Sequence, residues 1–313
     1  MVGGPDMAKK KGPVKNFYNN YNKNSNVRCF STSTKCVIDL GSYLAGLFEG
    51  DGHIWIQKTF SGKSHNPRFC ITFGLKNEPL AKKLLEILGV GFIRYKNNDN
   101  ACVIVISSVV GLKKIVSLIN GKLRTPKIWQ LEALINWLNK NHNTNILLLP
   151  LCESSLLSDA WLSGFVDADG SFSVQYTKKE NALKRKISCR LRIEQRMFDP
   201  TSNHSYHDIL NKIATFLLCN LLTRKQSSTG NTYYTLTASS LESVKVIINY
   251  FNKYPLYSSK YLDYKDWEIV ANLRLNNEHY TENGISKVEL AKNSMNNSRT
   301  LFKWDHLNNL PNN

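Results

Sequence analysis

Residues 44–52 read LAGLFEGDG and residues 162–170 read LSGFVDADG. Each stretch joins an apolar run to two acidic residues and ends in Asp-Gly. Residues four apart share one face of a helix, and small residues recur at that spacing at Gly46, Gly50, Gly164 and Ala168. Both stretches therefore predict short helices with a narrow face on which another helix backbone can pack closely. We expect the two helices to pack on each other.

The chain around the two stretches repeats one order of elements. Each repeat continues with two alternating segments, a segment of helical period, two more short strands and closing helical stretches. Polar turns between the strand pairs indicate antiparallel hairpins. The order α-β-β-α-β-β-α occurs twice, which indicates duplication and a pseudo-twofold axis. The predicted fold class is α+β, with two pseudo-symmetric αββαββα domains packed through their motif helices and with antiparallel sheets.

This repeat pattern divides the chain into five predicted segments. The outer segments and the linker between the repeats are rich in polar residues. The predicted bounds are a flexible N-terminal arm at 1–36, a first domain at 37–142, a linker at 143–155, a second domain at 156–275 and a C-terminal extension at 276–313.

The charge balance points to a polyanionic partner. Lys and Arg number 41 against 24 Asp and Glu, a formal net charge of +17. An excess of this size favours nucleic-acid binding. The seven cysteines are odd in number and show no C-x-x-C spacing, which argues against a disulfide framework or a zinc site. The apolar runs are too short to span a bilayer, so we expect no membrane partner.

The acid before the last glycine of each stretch is the strongest candidate for chemistry. Asp51 precedes Gly52, and Asp169 precedes Gly170. We predict that each glycine takes the left-handed conformation that ends many helices, which places both carboxylates at neighbouring helix C-termini. A helix C-terminus already carries partial negative charge, so two carboxylates there stay ionised only beside a cation. Oxygen ligands near DNA phosphates suit Mg²⁺.

A second acid stands two residues before each of these, Glu49 and Asp167. Helix residues two apart point in different directions. We interpret Glu49 and Asp167 as structural acids that bind backbone groups at the domain interface.

Both stretches resemble the LAGLIDADG motif that names a family of homing endonucleases, and two copies in one chain resemble its single-chain, organellar intron-encoded type. The resemblance covers about residues 38–275. It implies a monomer whose two sheets form a saddle over double-stranded DNA. It also implies that Asp51 and Asp169 bind Mg²⁺, that the carbonyls of Gly50 and Ala168 assist, and that Ca²⁺ permits binding without cleavage.

Two further pairs of residues occupy matching places in the repeats. Asn77 follows Asp51 by 26 residues, and Gln195 follows Asp169 by the same interval. An amide at the inner end of a strand can hold water near a metal, as this position does in the family; for Asn77 a turn or helix-cap role is equally open. Lys127 and Lys260 open the closing helices and resemble the active-site lysines of the family.

The alternating strands predict the DNA surface. One face of each sheet is apolar, and the other carries mostly Arg, Lys, Gln, Thr and Ser, which suits base edges in a major groove and neighbouring phosphates. In the first domain the predicted DNA-binding residues are Trp55, Gln57, Thr59, Arg68, Cys70, Thr72, Lys76, Arg94 and Lys96. In the second they are Ser173, Gln175, Thr177, Lys178, Lys186, Arg190, Arg192, Arg196, Arg224, Lys225, Tyr233 and Thr235.

The resulting functional prediction is a site-specific endonuclease. It makes a double-strand break in a long asymmetric DNA site by metal-dependent hydrolysis, leaves short 3′ overhangs and supports intron homing. The Asn- and Lys-rich composition is compatible with an AT-rich fungal mitochondrial source. Two alternatives stay open: an intron-splicing maturase with intron RNA as its partner, and a DNA-binding regulator without catalysis. The presence of both Asp51 and Asp169 favours the nuclease.

Overall fold

The computed structural model describes residues 39–57, 65–177 and 186–311. The predicted repeat is confirmed as an α+β fold with two four-stranded sheets, and each repeat closes with two helices. The first repeat comprises α1 (Leu40–Asp51), β1 (Gly52–Trp55), β2 (Arg68–Gly74), α2 (Glu78–Leu88), β3 (Phe92–Lys96), β4 (Ala101–Ile106), α3 (Val109–Ile119) and α4 (Ile128–His142). The second comprises α5 (Trp161–Asp169), β5 (Gly170–Thr177), β6 (Lys186–Arg196), α6 (His207–Phe216), β7 (Leu221–Lys225), β8 (Thr232–Ala238), α7 (Leu241–Lys253) and α8 (Lys260–Leu275).

The two sheets have the same topology. The strand orders are β1-β2-β4-β3 and β5-β6-β8-β7, and every pairing is antiparallel. Strand residues alternate between the faces, so Phe69, Ile71 and Phe73 of β2 enter the hydrophobic core. The intervening residues of β2 lie on the opposite face. The pattern leaves one face of each sheet for a partner.

Helices α1 and α5 pack backbone to backbone at the small residues. A Cβ added to Gly46 would lie 2.0 Å from the carbonyl oxygen of Trp161, and one added to Gly164 would lie 2.0 Å from that of Tyr43. Further along, a Cβ at Gly50 would lie 2.1 Å from the Cβ of Ala168. The predicted small-residue face is therefore the contact between the repeats, and it brings the C-terminal ends of both helices together.

The predicted left-handed glycines are wrong. Gly52 has φ −94° and ψ 163°, and Gly170 has φ −83° and ψ 159°, so both are extended and begin strands β1 and β5. Glycine is required at both positions because there is no space for a side chain. A Cβ at Gly52 would lie 2.7 Å from the carbonyl oxygen of Phe48, and one at Gly170 would lie 2.9 Å from that of Val166. The chain thus passes directly from helix to strand.

The C-terminal segment packs on the second repeat. It contains α9 (Glu282–Asn293) and continues along α8. Arg299 forms ion pairs with Asp263 at 3.1 Å and with Asp266 at 2.5 Å. His306 stacks on Tyr261 with ring centroids 4.2 Å apart. These contacts tie the segment to the helix that begins with Lys260.

No helix in the described ranges is long and apolar enough to cross a membrane.

Candidate active site and nucleic-acid interface

Asp51 and Asp169 are the last residues of α1 and α5, so the packing of these helices brings both acids to one place. The carboxylate oxygen Oδ2 of Asp169 lies 3.3 Å from the position that a Cβ of Gly50 would take, which shows that it reaches the opposite helix. Burial raises the pKa of Asp51, opposed by the charges of Lys260 and Lys127. Burial and the negative charge of Asp51 raise the pKa of Asp169 to about 6, against the same two lysines.

Two half-buried lysines, Lys127 and Lys260, approach the same helix ends. The Nζ of Lys127 donates to the carbonyl oxygens of Gly50 and Gly52, both at 2.9 Å. The Nζ of Lys260 donates to the carbonyl oxygen of Ala168 at 2.5 Å. Each lysine therefore offsets the partial negative charge at the C-terminus of the motif helix in its own repeat. The predicted carbonyl ligands Gly50 and Ala168 are the groups that these lysines bind.

Each lysine interacts electrostatically with acids of both repeats. Burial lowers the pKa of Lys127, and Asp169 opposes this shift more strongly than Asp51 does. Burial also lowers the pKa of Lys260, where Asp167 opposes the shift most, followed by Asp51 and then Asp169. Of the two motif-ending acids, each lysine thus interacts more strongly with the one from the other repeat.

The two amides behave differently. The Nε2 of Gln195 donates to Oδ2 of Asp169 at 2.8 Å. The Oδ1 of Asn77 instead accepts from the backbone N–H of Ser259, in the other repeat, at 2.8 Å. Asn77 stands at the N-cap position of α2, as its helix-cap interpretation predicts, but its side chain makes no cap bond to that helix. We call Asp51, Asn77 and Lys260 one centre and Asp169, Gln195 and Lys127 the other. The basis is that Lys260 lowers the pKa of Asp51 more than Lys127 does, and Lys127 that of Asp169 more than Lys260 does, together with the contacts of the two amides.

Glu49 and Asp167 accept hydrogen bonds that fix the chain next to these centres. Glu49 is fully buried and accepts from the backbone N–H groups of Arg124 and Thr125 and from the indole of Trp161. Burial raises its pKa, opposed by these hydrogen bonds. Their geometry agrees with the predicted structural role.

Asp167 plays the same part in the second repeat. It accepts from the backbone N–H groups of Tyr257 and Ser258 and from the hydroxyl of Tyr43. Burial raises the pKa of Asp167, opposed by those bonds. Glu49 and Asp167 thus each fix the chain just before the lysine that is predicted to belong to the active site in their repeat.

The donor atoms at the helix ends fit a hard divalent cation. They are the two carboxylates of Asp51 and Asp169 and the nearby carbonyl oxygens of Gly50 and Ala168, and Mg²⁺ binds such oxygen ligands. In the part of the chain that the structure describes, no group of three or more His, Cys, Asp or Glu side chains could hold a metal. An ion here would complete its coordination with water and DNA oxygen atoms, as suits Mg²⁺, which keeps several waters.

Most predicted DNA-binding residues are accessible on the sheets or at their ends. Exposed members are Trp55, Lys76, Arg94, Gln175, Arg192, Arg196, Arg224 and Lys225. Half-buried members are Gln57, Arg68, Thr72, Lys96, Ser173, Arg190, Tyr233 and Thr235. Thr59 and Lys178 lie outside the described residues, as do the side chains of Thr177 and Lys186 at the ends of β5 and β6.

Cys70 is a correction to the predicted DNA surface. It lies on the expected face of β2 but is only 3% exposed, in a small cluster with Val103 and Val105 of β4. The alternation of β2 gives the face of Cys70, but its burial depends on the residues of β4 beside it.

The second sheet carries an ion-pair network that the sequence pattern does not predict. Glu194 of β6 pairs with Arg192 on its own strand and with Arg224 of β7 at 2.7 Å. The Nε of Arg192 also donates to the hydroxyl of Thr235 at 3.3 Å. The carboxylate of Glu194 therefore holds two arginines in position on an exposed face. The only sequence signal is the alternation Arg-x-Glu, which does not show which neighbouring strand supplies the second arginine.

The fold and this site agree with comparisons to known proteins. The LAGLIDADG endonuclease family profile matches residues 44–138 and 162–271. The intron-encoded DNA endonuclease aI3 of Saccharomyces cerevisiae is 34% identical over 332 residues, covering 95% of this chain and 80% of that protein. An uncharacterised cox1 intron-2 37.2 kDa protein of Schizosaccharomyces pombe is 31% identical, covering 80% and 70%. The chain belongs to the LAGLIDADG endonuclease family.

Solved structures support the same fold. The homing endonuclease I-GzeII in complex with its DNA target is 22% identical, covers 83% of this chain and 99% of its own, and has a TM-score of 0.62. The homing endonuclease I-SmaMI bound to cleaved DNA is 22% identical, covers 83% and 98%, and has a TM-score of 0.64. A further I-SmaMI structure contains uncleaved DNA and calcium ions, with 21% identity, coverage of 82% and 98%, and a TM-score of 0.60.

Proposed function

We propose that this protein hydrolyses one phosphodiester in each strand of a long, asymmetric double-stranded DNA site. The observation that carries the proposal is that Asp51 and Asp169 lie at two packed helix ends, each of which also binds the ammonium group of a half-buried lysine. Burial raises the pKa of both acids, and the negative charge of Asp51 raises that of Asp169 further, so the charged pair is unfavourable in the free protein. A site that concentrates charge in this way is suited to a function that supplies a cation and a phosphate.

The metal would be held by Asp51 and Asp169, with the carbonyls of Gly50 and Ala168 close by. When bound, Mg²⁺ lowers the pKa of a coordinated water and stabilises negative charge on a phosphate oxygen. Ca²⁺ is expected to permit binding without cleavage. A structural neighbour that contains calcium ions and uncleaved DNA supports the use of a divalent ion at this fold.

The protein groups would position and stabilise the reacting atoms. Lys127 and Lys260 place positive charge beside a developing phosphorane, where preorganised charge is most effective. Gln195 holds one oxygen of Asp169 by a hydrogen bond, which fixes the direction of the other. The basic side chains of the two sheets would bind the phosphates on either side of the cut and set the register of the DNA.

The two repeats would bind unlike half-sites because their sheet faces differ. The second sheet presents the network of Arg192, Glu194 and Arg224, whereas the matching region of the first contains Cys70 and Val103. One chain supplies both halves, which supports action as a monomer. From the resemblance of the two motifs to the family we infer 3′ overhangs and intron homing. Relatives described as intron-encoded, one of them from a cox1 intron, support a fungal mitochondrial location.

A maturase function is a second candidate. The intron-encoded RNA maturase bI4 of Saccharomyces cerevisiae is 26% identical over 173 residues, covering 55% of this chain and 23% of that protein. The two functions differ in the need for Asp51 and Asp169, since RNA binding does not require a metal-binding acid pair. Splicing of the host intron by an Asp51→Asn, Asp169→Asn double variant would support the maturase.

The endonuclease proposal is tested by incubating the full chain with Mg²⁺ and a DNA library of intron-insertion junctions with randomised positions. Sequencing both ends of the cut molecules identifies the site and the overhang. We expect one asymmetric site and a fixed stagger that leaves 3′ ends protruding. Uncut libraries at every divalent ion tried, or cuts at unrelated sequences, would contradict the proposal.

A further inference from the structure

The backbone before each active-site lysine shows how the two repeats differ. Thr125 and Ser258 are equivalent, because the backbone N–H of each binds the buried acid of its repeat, Glu49 at 2.6 Å and Asp167 at 3.2 Å. The lysines follow two residues later. The residue between is Pro126 in the first repeat and Ser259 in the second.

This difference removes one hydrogen-bond donor. Ser259 has a backbone N–H, and Asn77 of the opposite repeat binds it at 2.8 Å. Proline has no backbone N–H. The strand registers pair Gly52 with Ile71 and Gly170 with Ile193, which makes Asp199 the counterpart of Asn77 and Phe73 the counterpart of Gln195. Asp199 therefore has no such partner at Pro126. The amide of Gln195 donates to Asp169, and its Oε1 accepts from the N–H of Arg196 at 2.9 Å.

The first repeat replaces the missing bond with another contact. Trp129, in the first turn of α4, donates from its indole nitrogen to Oδ1 of Asp199 at 3.1 Å. Asp199 follows β6 and also accepts from the backbone N–H groups of Thr201 and Ser202. Each lysine helix is therefore held by the opposite repeat, but only at α8 does this use the active-site amide.

We propose that Asn77 is a positioning residue that acts through the N–H of Ser259 on Lys260, whereas Gln195 acts directly on Asp169. The inference rests on the proposed endonuclease function and deepens it. The two centres then have different chemistry: in one the amide orients the carboxylate, and in the other it anchors the start of the lysine helix. Loss of either amide slows a different DNA strand.

Strand-resolved single-turnover cleavage tests the proposal, with each DNA strand labelled separately. Asn77→Ala and Ser259→Pro should slow the same strand about fivefold, the factor equivalent to one hydrogen bond. The double variant should be no slower than either single variant, because both remove one bond. Gln195→Ala should slow the other strand. A general loss of structure would slow both strands together, so the strand ratio separates positioning from stability.

Two features make Ser259→Pro a specific test of the backbone N–H. The φ of Ser259 is −56°, which proline adopts, and the first repeat already has proline at this place. Ser259→Ala is its matched partner, because it keeps the N–H and removes a buried hydroxyl without a hydrogen-bond partner in the described structure. It should keep the wild-type strand ratio. A change in the strand ratio as large as that caused by Ser259→Pro would show that the hydroxyl, and not the N–H, is responsible, and would overturn the proposal.

Other results would also overturn it. If Asn77→Ala slows a strand that Ser259→Pro leaves unaffected, Asn77 acts on the reacting groups directly. If the two changes add, or if Asn77→Ala and Gln195→Ala slow the same strand, the division is wrong.

Amide hydrogen exchange of Ser259 provides a readout that needs no cleavage. In the full chain, Asn77→Ala should speed exchange of the Ser259 N–H about fivefold and leave that of Thr125 unchanged. Unchanged exchange at Ser259 would overturn the inference even if the protein is an active nuclease. Faster exchange in a protein that cuts no DNA would support the contact while rejecting the proposed function.

Discussion

Gln195 donates a hydrogen bond to Asp169 across 2.8 Å, while Asn77, equally far along the chain from Asp51, binds Ser259 in the other repeat instead. The equal spacing does not make the two amides equivalent, because the strand registers match Gln195 to Phe73. The lysines add a second departure from simple repetition, because each interacts more strongly with the motif-ending acid of the opposite repeat. The two repeats therefore share both centres, and neither repeat contains a complete one.

The crossed lysines predict strand-specific defects. Lys127→Met and Lys260→Met keep most of the apolar stem but remove the charge, and each should slow one strand by about 100-fold, as loss of a preorganised electrostatic group does. The two variants should slow different strands. Exposed Lys245, on α7, provides the control Lys245→Met, which should cut normally. Equal slowing of both strands by each variant would show that the lysines serve a single shared centre.

The helix contact predicts a large effect from one methyl group. Gly46→Ala would place its Cβ 2.0 Å from the carbonyl oxygen of Trp161, so the helices must move apart. We expect destabilisation of about 1–3 kcal/mol, typical of an overpacked core, measured by urea unfolding. Gly74→Ala is the control, since a Cβ there meets nothing within 4 Å. Similar unfolding midpoints for the two variants would contradict close helix packing.

The carboxylate pair predicts that an active-site substitution stabilises the metal-free protein. The folded-state pKa of Asp169 is raised to about 6. Protonated Asp169 therefore contributes favourably to the free energy of folding at low pH, and this contribution is lost as pH rises through about 6. At pH 8 the charged group destabilises the fold, so Asp169→Asn should raise Tm in chelator by a few degrees. The difference in Tm between Asp169→Asn and the wild type should shrink as the pH falls below about 6 and should vanish near pH 4.

Added Mg²⁺ provides the complementary measurement. It should raise the Tm of the wild type more than that of Asp169→Asn, because the variant lacks one ligand. A lower Tm for Asp169→Asn than for wild type at pH 8 without metal would contradict the account of a repulsive acid pair.

The arginine network predicts where base preference resides. Arg192→Ala should relax preference at one or two positions of the half-site under the second sheet, measured by binding to single-base variants in Ca²⁺. Glu194→Gln should have a related effect, because it releases Arg192 and Arg224 from their common carboxylate. Lys225→Ala should weaken binding to all sequences alike, as a phosphate contact does. Uniform loss for Arg192→Ala would make it a phosphate contact as well.

The secondary structure was predictable because it depends on local pattern. The helical spacing over 78–88 leads to the observed helix, and alternation from residue 68 leads to the observed strand. The alternation continues to residue 76, but the strand ends at Gly74 and Leu75–Asn77 form a 3-10 turn, so Asn77 is not in register with the apolar face of the strand. The paired motif helices were also predictable, since Gly46 and Gly164 leave space that only a close backbone fills. The role of Gly52 was not, because a left-handed helix end and a direct turn into a strand both favour glycine. The backbone angles distinguish them: Gly52 has φ −94° and ψ 163°, which is extended.

The crossed centres could not be predicted from either repeat alone. Sequence spacing places Asn77 and Lys127 in the same repeat as Asp51, but the pseudo-twofold packing decides which side chains meet. The burial of Cys70 has a similar cause, since it depends on Val103 and Val105 across the sheet. Tertiary neighbours therefore determine the features on which the asymmetry of the site depends.

Cleavage by the two carboxylate variants tests the central claim most directly. The full chain, Asp51→Asn and Asp169→Asn are compared on the identified DNA site, with cleavage measured in Mg²⁺ and binding in Ca²⁺. Asp208→Asn is the matched control, because its side chain is 95% exposed on α6 and the same charge is removed. We predict that Asp51→Asn and Asp169→Asn each abolish the double-strand break and retain DNA binding, while Asp208→Asn cuts normally. Full double-strand cleavage by Asp51→Asn or Asp169→Asn would contradict the account.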